Sequence, residues 1–225
     1  MRLLIIGHGR MGRLVESLVP EYDMELAGVI DRRVSARPDD WPDADVAIDF
    51  SVADAVPVNL GGLASRGINV VIGTTGWQAV EESAREVAAR AGIGVVAAPN
   101  FSVGVVVFAA IAEHAAKLMQ AQPSFGAWIH ELHHAAKRDA PSGTALHLEA
   151  AMRRGGYGRP VDIASTRAGA IPGTHTIGFD APGETITLTH AARDRSPFAR
   201  GALEAARWVR GRTGWFGMRD VIGLQ

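Results

Sequence analysis

The chain has 225 residues, of which 47% are hydrophobic and 21% charged, so it can bury the core of one large or two small domains. Its 23 basic and 24 acidic residues exclude the strong positive field that attracts nucleic acid or an anionic membrane, and the lack of cysteine excludes disulfides and thiolate chemistry. The N-terminal apolar run is too short for a signal peptide, and we expect no apolar run to be long enough for a membrane span, so we expect a cytoplasmic protein.

The first hundred residues alternate short β-branched runs with amphipathic helical segments. Helices are predicted from about Met11 onward, over 53–65 and over 77–91. The predicted strands are 3–6, 24–30, 46–50, 69–72 and 94–97. This alternation predicts an α/β fold with a parallel sheet that helices cover on both faces.

The pattern changes near residue 101, where we place a domain boundary. Residues 174–190 alternate apolar and polar around the turn at Asp180 to Gly183, which predicts a hairpin of antiparallel strands. The other predicted elements are a helix over 103–119, a strand or helix over 125–132, and helices over 145–153 and 201–210.

Two domains follow from this pattern. Residues 1–101 are predicted to form a dinucleotide-binding domain, to which residues 197–225 return. Residues 102–196 are predicted to form a smaller α+β domain that binds the substrate.

A glycine motif follows the first predicted strand and opens the first predicted helix. It is G-x-G-x-x-G and consists of Gly7, His8, Gly9, Arg10, Met11 and Gly12. Such glycines let the backbone approach a pyrophosphate, which binds the unpaired N–H groups of the helix start. Asp31 ends the second strand, where a carboxylate suits the ribose hydroxyls of NADH, and Arg32 and Arg33 suit the 2′-phosphate of NADPH. We predict binding of NADH or NADPH; the alternatives are a turn without a ligand and a solvated arginine pair.

Two further loops occur at the carboxyl ends of predicted strands, where open α/β sheets bind ligands. They contain Gly73, Thr74 and Thr75 after the fourth strand, and Ala98, Pro99, Asn100 and Phe101 after the fifth. Their backbone donors, small side chains and amide suit a nicotinamide carboxamide. Each loop alone would be an ordinary strand-to-helix turn, but together they favour a cofactor site.

The stretch HELHH, residues 130–134, fits the H-E-x-x-H zinc-protease motif. A zinc site requires His130 and His134 on one face of a helix, with Glu131 as general base. In a strand, Glu131 and His133 instead share a face. No third ligand stands at a familiar spacing, and five letters match often by chance. We therefore expect no metal.

A metal-free site explains more of this stretch. His133 and Lys137 can both donate protons near neutral pH when suitably placed. Ser142, Gly143 and Thr144 open the next predicted helix, whose N–H groups suit a carboxylate, and Arg195 and the run from Arg167 to His175 extend the anion pocket. The pattern indicates hydride delivery to an unsaturated dicarboxylate with a protein acid nearby. A buried polar histidine pair and a solvated lysine are the structural alternatives.

The chain resembles the 4-hydroxy-tetrahydrodipicolinate reductase family, also called dihydrodipicolinate reductases, which serve the diaminopimelate route to lysine. The resemblance covers most of the chain through motifs in family order: GHGRMG, GTTG, APNFSVGV, ELHHAAKRDAPSGTA and RAGAIPGTH. It implies a Rossmann-type domain, a substrate domain whose sheet builds a homotetramer, and NADH or NADPH as hydride donor.

The resemblance also implies residue roles. His133 matches the family's proton donor or acceptor, Lys137 its second proton donor, and His134, Gly143 and Thr144 its substrate-binding positions. Hydride would go to ring C4 after loss of water, and a proton to C3 from either His133 or Lys137. The glycine motif, Asp31, Arg32, residues 73–75 and residues 98–101 match its cofactor-binding positions.

Some features depart from the family pattern. The chain is shorter than many members, and many carry one more residue in the glycine loop, so the exact phosphate contacts stay open. Asp31 stands where members have a glutamate or an aspartate, so the choice between NADH and NADPH also stays open. The rival hypotheses are another amino-acid-pathway dehydrogenase, an NAD(P)H sensor without turnover, and a zinc hydrolase.

Overall fold

The structure is a computed structural model that describes residues 1–31 and 37–224, so Arg32 and Arg33, both predicted to suit the cofactor, lie outside the described residues. The chain divides into two compact units, residues 1–103 with 196–225, and residues 104–195. The described strands are β1 (Arg2–Ile6), β2 (Glu25–Ile30), β3 (Val46–Asp49), β4 (Asn69–Ile72), β5 (Gly94–Ala97), β6 (Gly126–His133), β7 (Val161–Arg167), β8 (Thr174–Ala181), β9 (Glu184–Ala191) and β10 (Gly214–Phe216). The α-helices are α1 (Arg10–Leu18), α2 (Val56–Ser65), α3 (Glu81–Ala91), α4 (Val103–Gln120), α5 (Gly143–Arg154), α6 (Ser196–Val209) and α7 (Met218–Val221).

The first unit is built on a parallel sheet of six strands in the order β2-β1-β3-β4-β5-β10. In β1, Leu4 and Ile6 pack in a core with residues of α2 and α3, whereas Leu3 and Ile5 point to the other face and are equally buried. Strands buried on both faces need apolar residues at every position, which the β-branched runs supply. The predicted Rossmann-type α/β class is confirmed.

The strand order reverses at β1, because β2 lies on one side of it and β3 on the other. Open α/β sheets bind ligands outside the carboxyl ends of the strands at such a reversal. The glycine motif follows β1 at this place. The topology of the first unit therefore puts the motif where a dinucleotide is expected.

The second unit has a sheet in the order β7-β6-β8-β9, in which β6 is parallel to β7 and antiparallel to β8. Buried and partly exposed residues alternate along β6, as in a strand with one covered face. On the covered face, Ile129 and Phe179 pack with Phe108 of α4 and Leu148 of α5. The same alternation places Glu131 and His133 on this face, at the carboxyl end of β6.

Helix α4 has 18 residues and a mean hydropathy of 1.4, enough to cross a membrane by length and composition alone. The expectation that no apolar run is long enough is therefore wrong by this criterion. In the structure, Phe108, Ala112 and Ala116 recur at helical spacing and pack in the core of the second unit. Core helices satisfy the same criterion, so the hydropathy of α4 is weak evidence for a membrane.

The structure differs from the predicted elements in several places. Strands β7 and β10 and helix α7 were not predicted. Helix α6 begins at Ser196 rather than at residue 201, and the ambiguous segment 125–132 is a strand. The missed strands are a sheet edge and a three-residue strand, both too short or too polar to give a clear periodicity.

Candidate active site

The glycine motif forms a tight loop between β1 and α1. Gly7 has φ +91°, and a Cβ there would overlap the backbone of Phe50, while a Cβ at Gly12 would overlap the carbonyl oxygen of Gly7. At Gly9 a Cβ would meet no described atom within 4 Å. Two glycines are therefore needed by the loop itself, and the third leaves open space beside the first N–H groups of α1.

The start of α1 has the features of an anion site. Gly9 occupies the N-cap position, and among the described residues no side chain caps the helix. The neighbouring side chains are engaged elsewhere: His8 Nε2 lies 2.6 Å from Glu16 Oε2, and Arg13 donates to the His8 carbonyl. The backbone N–H groups of Arg10 and Met11 lie in the first turn of α1, where a pyrophosphate would be bound.

Asp49 is a buried carboxylate at the carboxyl end of β3 that sequence reasoning did not identify. It is 1% exposed and accepts hydrogen bonds from the Ser51 N–H (2.8 Å), the Thr74 hydroxyl (3.0 Å) and the Asn59 amide (2.9 Å). Its backbone carbonyl also accepts from the N–H of Gly73. Asp49 thus ties the 73–75 loop to the end of β3.

The other predicted cofactor residues of the first unit also follow strand ends. Asp31 comes directly after β2, and Thr75 is exposed after β4. After β5, Phe101 is buried with its ring edge-on to Phe50, 6.2 Å between centroids, and the Asn100 side chain accepts from the Ser102 N–H. Ala98 and Pro99 lie between β5 and these residues.

In the second unit, the HELHH stretch lies at the end of β6 and not on a helix. His130 and His134 therefore do not form the helical ligand pair of a zinc protease. His130 faces away from the covered side, and its Nε2 lies 2.9 Å from the Thr166 hydroxyl. The zinc-protease interpretation of this stretch does not fit the structure.

Glu131 is fully buried at the centre of a charged network. Arg167 Nη2 donates to Glu131 Oε1 at 2.6 Å, and the Ser142 N–H donates to the same oxygen at 3.2 Å. The other oxygen, Oε2, forms a hydrogen bond with His133 Nδ1. Burial alone would raise the pKa of Glu131, but the hydrogen bonds from Arg167, Ser165 and His133 lower it from 4.5 to about 2. The carboxylate is therefore ionised at neutral pH.

His133 has a second histidine beside it. The rings of His133 and His175 lie edge-to-face with 5.1 Å between centroids, and His175 Nε2 lies 3.2 Å from the Ser142 hydroxyl. Burial lowers the pKa of His133 below its ordinary value and that of His175 from 6.5 to about 4. His175 is thus neutral at physiological pH.

Glu131, His133 and His175 offer three possible metal-ligand atoms within 4.8 Å of one another. Both oxygens of Glu131, however, already accept hydrogen bonds, one of them from the Arg167 guanidinium. A fixed cation next to the carboxylate opposes a metal cation at the same place. The donor set suits proton transfer better than metal binding.

Three of the residues predicted to bind a substrate carboxylate, Ser142, Gly143 and Thr144, lie at the start of α5. Ser142 is its N-cap, and the Ser142 hydroxyl accepts from the Ala145 N–H, which leaves Gly143 and Thr144 as the first helical residues. Lys137 Nζ donates to both oxygens of Asp139 at 2.7 and 2.8 Å, and hydrogen bonding to Lys137 lowers the Asp139 pKa. The Asp139 carboxylate therefore already interacts with the Lys137 cation and with the backbone of Gly143 at the start of α5.

The remaining predicted substrate residues have looser surroundings. His134 follows β6 and is half-buried, and Arg195 is exposed after β9. Arg167 and His175, predicted to extend an anion pocket, instead contact Glu131 and Ser142 inside the unit. Sequence reasoning placed Glu131 and His133 on the same face of a strand, but it assigned Glu131 no role in a metal-free site.

Comparisons with known proteins cover both units. The sequence matches the family description "Dihydrodipicolinate reductase, N-terminus" over residues 1–101 and "Dihydrodipicolinate reductase, C-terminus" over residues 104–222. It is 43% identical to 4-hydroxy-tetrahydrodipicolinate reductase of Stenotrophomonas maltophilia (strain R551-3), covering 99% of this chain and 98% of the relative. It is 41% identical to the Acidiphilium cryptum protein of that name, covering 96% and 94%. The fold resembles the dipicolinate-bound dihydrodipicolinate reductase of Paenisporosarcina sp. TG-14, with a TM-score of 0.82, 23% identity and 99% coverage of both chains.

Proposed function

The chain belongs to the dihydrodipicolinate reductase family, and from that premise we propose that it reduces 4-hydroxy-tetrahydrodipicolinate to tetrahydrodipicolinate in lysine biosynthesis. The observation that carries this assignment is the combination of His133, Lys137 and the start of α5, because it provides two candidate proton donors and groups that can bind a carboxylate. The protein is accordingly an oxidoreductase.

The first unit fits a dinucleotide. Gly9 leaves open the space in front of the α1 N–H groups, and the glycine loop lies at the reversal of the strand order. Asp31, the 73–75 loop and the 98–101 loop would complete the site. When bound, NADH or NADPH supplies a hydride, whose acceptor we assign as ring C4 after water has left the 4-hydroxy substrate. We propose that both cofactors are accepted.

The second unit would bind the substrate and provide its proton. We assign the two carboxylates of the substrate to the N–H groups of Gly143 and Thr144 and to the side chains of His134, Lys137 and Arg195. A substrate carboxylate at Lys137 would replace Asp139, which holds this lysine in the structure. Ser142 would act through its backbone and its helix cap, since its hydroxyl already contacts His175.

Hydride transfer adds two electrons and one hydrogen, so reduction of the ring also needs one proton, which we assign to C3. His133 and Lys137 are the two candidates for delivering it. His133 is connected to Glu131 at Nδ1, which leaves Nε2 for the substrate. Lys137 lies in the loop between β6 and α5, where its Nζ donates to Asp139. Single variants separate the two.

We further propose a cytoplasmic homotetramer built through the second sheet. On the face turned away from α4 and α5, Trp128 lies across Gly178 of the neighbouring strand, with half-buried Leu132 nearby. Large apolar side chains on a strand face without covering helices favour association. Light scattering on the wild type and on Trp128→Glu tests this: a tetramer that dissociates in the variant is expected, and a wild-type monomer would contradict it.

The assignment is tested by following the absorbance of NADH or NADPH with the fresh condensation product of pyruvate and aspartate semialdehyde. Rapid oxidation of the cofactor is expected for the wild type, with kcat about 10²- to 10⁴-fold lower in the proton-delivering variant, His133→Ala or Lys137→Ala. His130→Ala is the matched control, because this histidine lies on the other face of β6. No oxidation with either cofactor would overturn the assignment; binding without turnover would favour the sensor hypothesis.

A further inference from the structure

The Glu131 carboxylate takes no part in the proposed reaction, yet it is the most heavily bonded buried charge of this site. Its two oxygens connect different partners, Arg167 on one side and the His133 ring on the other. The sheet sets this arrangement, because β7 runs parallel to β6 with Arg167 opposite His133. A fully buried carboxylate such as Glu131 is costly unless its charge and hydrogen bonds are well satisfied, and its partner Arg167 has a side chain that is 17% exposed. Its presence here calls for a role besides stability.

We propose that Glu131 and Arg167 are positioning residues that hold the His133 ring with Nδ1 donating to Glu131, so that Nε2 exchanges the proton with the substrate. The inference rests on the proposed function and takes His133, one of its two candidates, as the group that exchanges the proton. Glu131 would act through His133 alone, and Arg167 through Glu131.

The tautomer follows from the ionisation state of the carboxylate. An ionised carboxylate only accepts hydrogen bonds, so the hydrogen of the Glu131–His133 contact belongs to Nδ1. In the neutral ring, Nε2 is then the basic nitrogen, and in the protonated ring it carries the transferable hydrogen. Without Glu131 either tautomer of the neutral ring would be available, and the one protonated at Nε2 would have no basic nitrogen facing the substrate.

Glu131 also acts on the pKa of His133 in the opposite direction to the other charged groups around the ring. The charged and titratable groups that face His133 are Lys137 and Arg167, which disfavour its protonation, Glu131, which favours it, and His175 beside it. His190 of β9 faces His175 in turn. Glu131 is therefore the one charge among these described groups that stabilises the imidazolium needed in each catalytic cycle.

The proton-exchanging atom has its own space requirement. A Cβ at Gly173, which has φ +151°, would lie 3.1 Å from His133 Nε2. A methyl group there would crowd the nitrogen that the proposal assigns to the substrate, without touching Glu131 or Nδ1. Gly173 therefore provides a second test of which nitrogen works.

The primary test compares Glu131→Gln, Arg167→Lys and Arg167→Met with the wild type. For Glu131→Gln we expect kcat about 100-fold lower with KM within about threefold, and a high-pH fall of kcat shifted to lower pH, because the carboxylate no longer favours the protonated ring. Arg167→Lys should retain most activity, because it keeps a cation on Glu131, and Arg167→Met should not. Glu149→Gln is the control, since it removes the same charge from a surface ion pair of α5.

Nitrogen-15 NMR of labelled histidine reads out the tautomer in the protein without substrate. Wild-type His133 should be protonated at Nδ1, and Glu131→Gln should mix the tautomers and lower the His133 pKa. An unchanged spectrum would overturn the proposal even if the enzyme were active. Failure of the proposed function would appear differently, as no turnover in the wild type with the Nδ1 tautomer still present.

Two further measurements separate positioning from a general loss of structure. In the His133→Ala background, Glu131→Gln should cause no additional loss of kcat, whereas a second 100-fold loss would show that Glu131 acts independently of His133. Gly173→Ala should lower kcat at least about 10-fold, while Gly183→Ala, in the β8–β9 turn with φ +96° and no described atom within 4 Å, should not. Full activity of Gly173→Ala would contradict the assignment of Nε2.

Discussion

Replacing Gly9 by alanine tests whether the glycine loop binds the pyrophosphate. Gly9 is the N-cap of α1 with φ −78°, and its Cβ would meet no atom of the described chain within 4 Å. We therefore expect Gly9→Ala to lower the free energy of unfolding by no more than about 1 kcal/mol, the difference between glycine and alanine at an N-cap. Gly12→Ala, in contrast, would place a methyl group on the Gly7 carbonyl and cost about 1–3 kcal/mol or more.

The effect on the cofactor should be larger than the effect on folding. The methyl group would occupy the space that a pyrophosphate needs to reach the α1 N–H groups. Loss of one hydrogen bond to a charged group costs about 1.5–3 kcal/mol, which corresponds to a roughly 10- to 150-fold weaker Kd. Calorimetric titration with NADH and NADPH measures the Kd, and urea denaturation measures the stability.

Gly61→Ala is the matched control, because Gly61 lies within α2 and a Cβ there would also meet no described atom within 4 Å. This variant should leave both Kd values unchanged and raise the stability by up to about 1 kcal/mol. Wild-type affinity in Gly9→Ala would refute the placement of the pyrophosphate. A loss of affinity that followed a loss of stability of several kcal/mol would refute the assumption that Gly9 is free to carry a methyl group.

Three other predictions concern the second unit. Glu131→Gln should lower the free energy of unfolding at pH 7 by about 3 kcal/mol at most, and this difference should shrink as the pH falls from 4.5 towards 2, because the depressed pKa stabilises the folded state only above that range; urea denaturation at several pH values measures it. The lowered pKa of His175 predicts that wild-type stability falls as the pH drops from about 6.5 to 4, since the unfolded state then binds the extra proton, and that His175→Asn flattens this dependence. Gly178→Ala should cost about 1–3 kcal/mol, because its methyl group would overlap the Trp128 ring; an unchanged thermal unfolding midpoint would contradict that packing.

The first unit could be predicted well because its signals are local. Each buried strand is a short β-branched run, and each loop that follows it contains glycine or a small polar residue. Asp49 was missed because its role depends on contacts that are not local. Its partners are Ser51, Asn59 and Thr74, which come from separate segments. Its sequence neighbours do not distinguish it from any aspartate at the end of a strand.

The candidate site of the second unit was less accessible from sequence. His133 and Lys137 stand out within one motif, but Arg167 is 36 positions after Glu131 in the chain. Their contact depends on the parallel register of β6 and β7. The whole of β7 is the weakly apolar sequence VDIASTR, which follows a proline. Periodicity gives neither the existence of that strand nor its register.

The first unit is assembled from two separate parts of the chain, and this has a consequence during synthesis. The strand β10 completes one edge of the parallel sheet next to β5, and the buried Asn69 side chain binds the carbonyl of Val209 and the N–H of Gly94. The second unit, in contrast, is continuous over 104–195. On a translating ribosome the inserted unit can therefore fold first. Until α6 and β10 emerge, β5 is an unpaired edge strand of the first sheet. An exposed edge strand can pair with another chain, so this interval is when nascent copies are most vulnerable to aggregation.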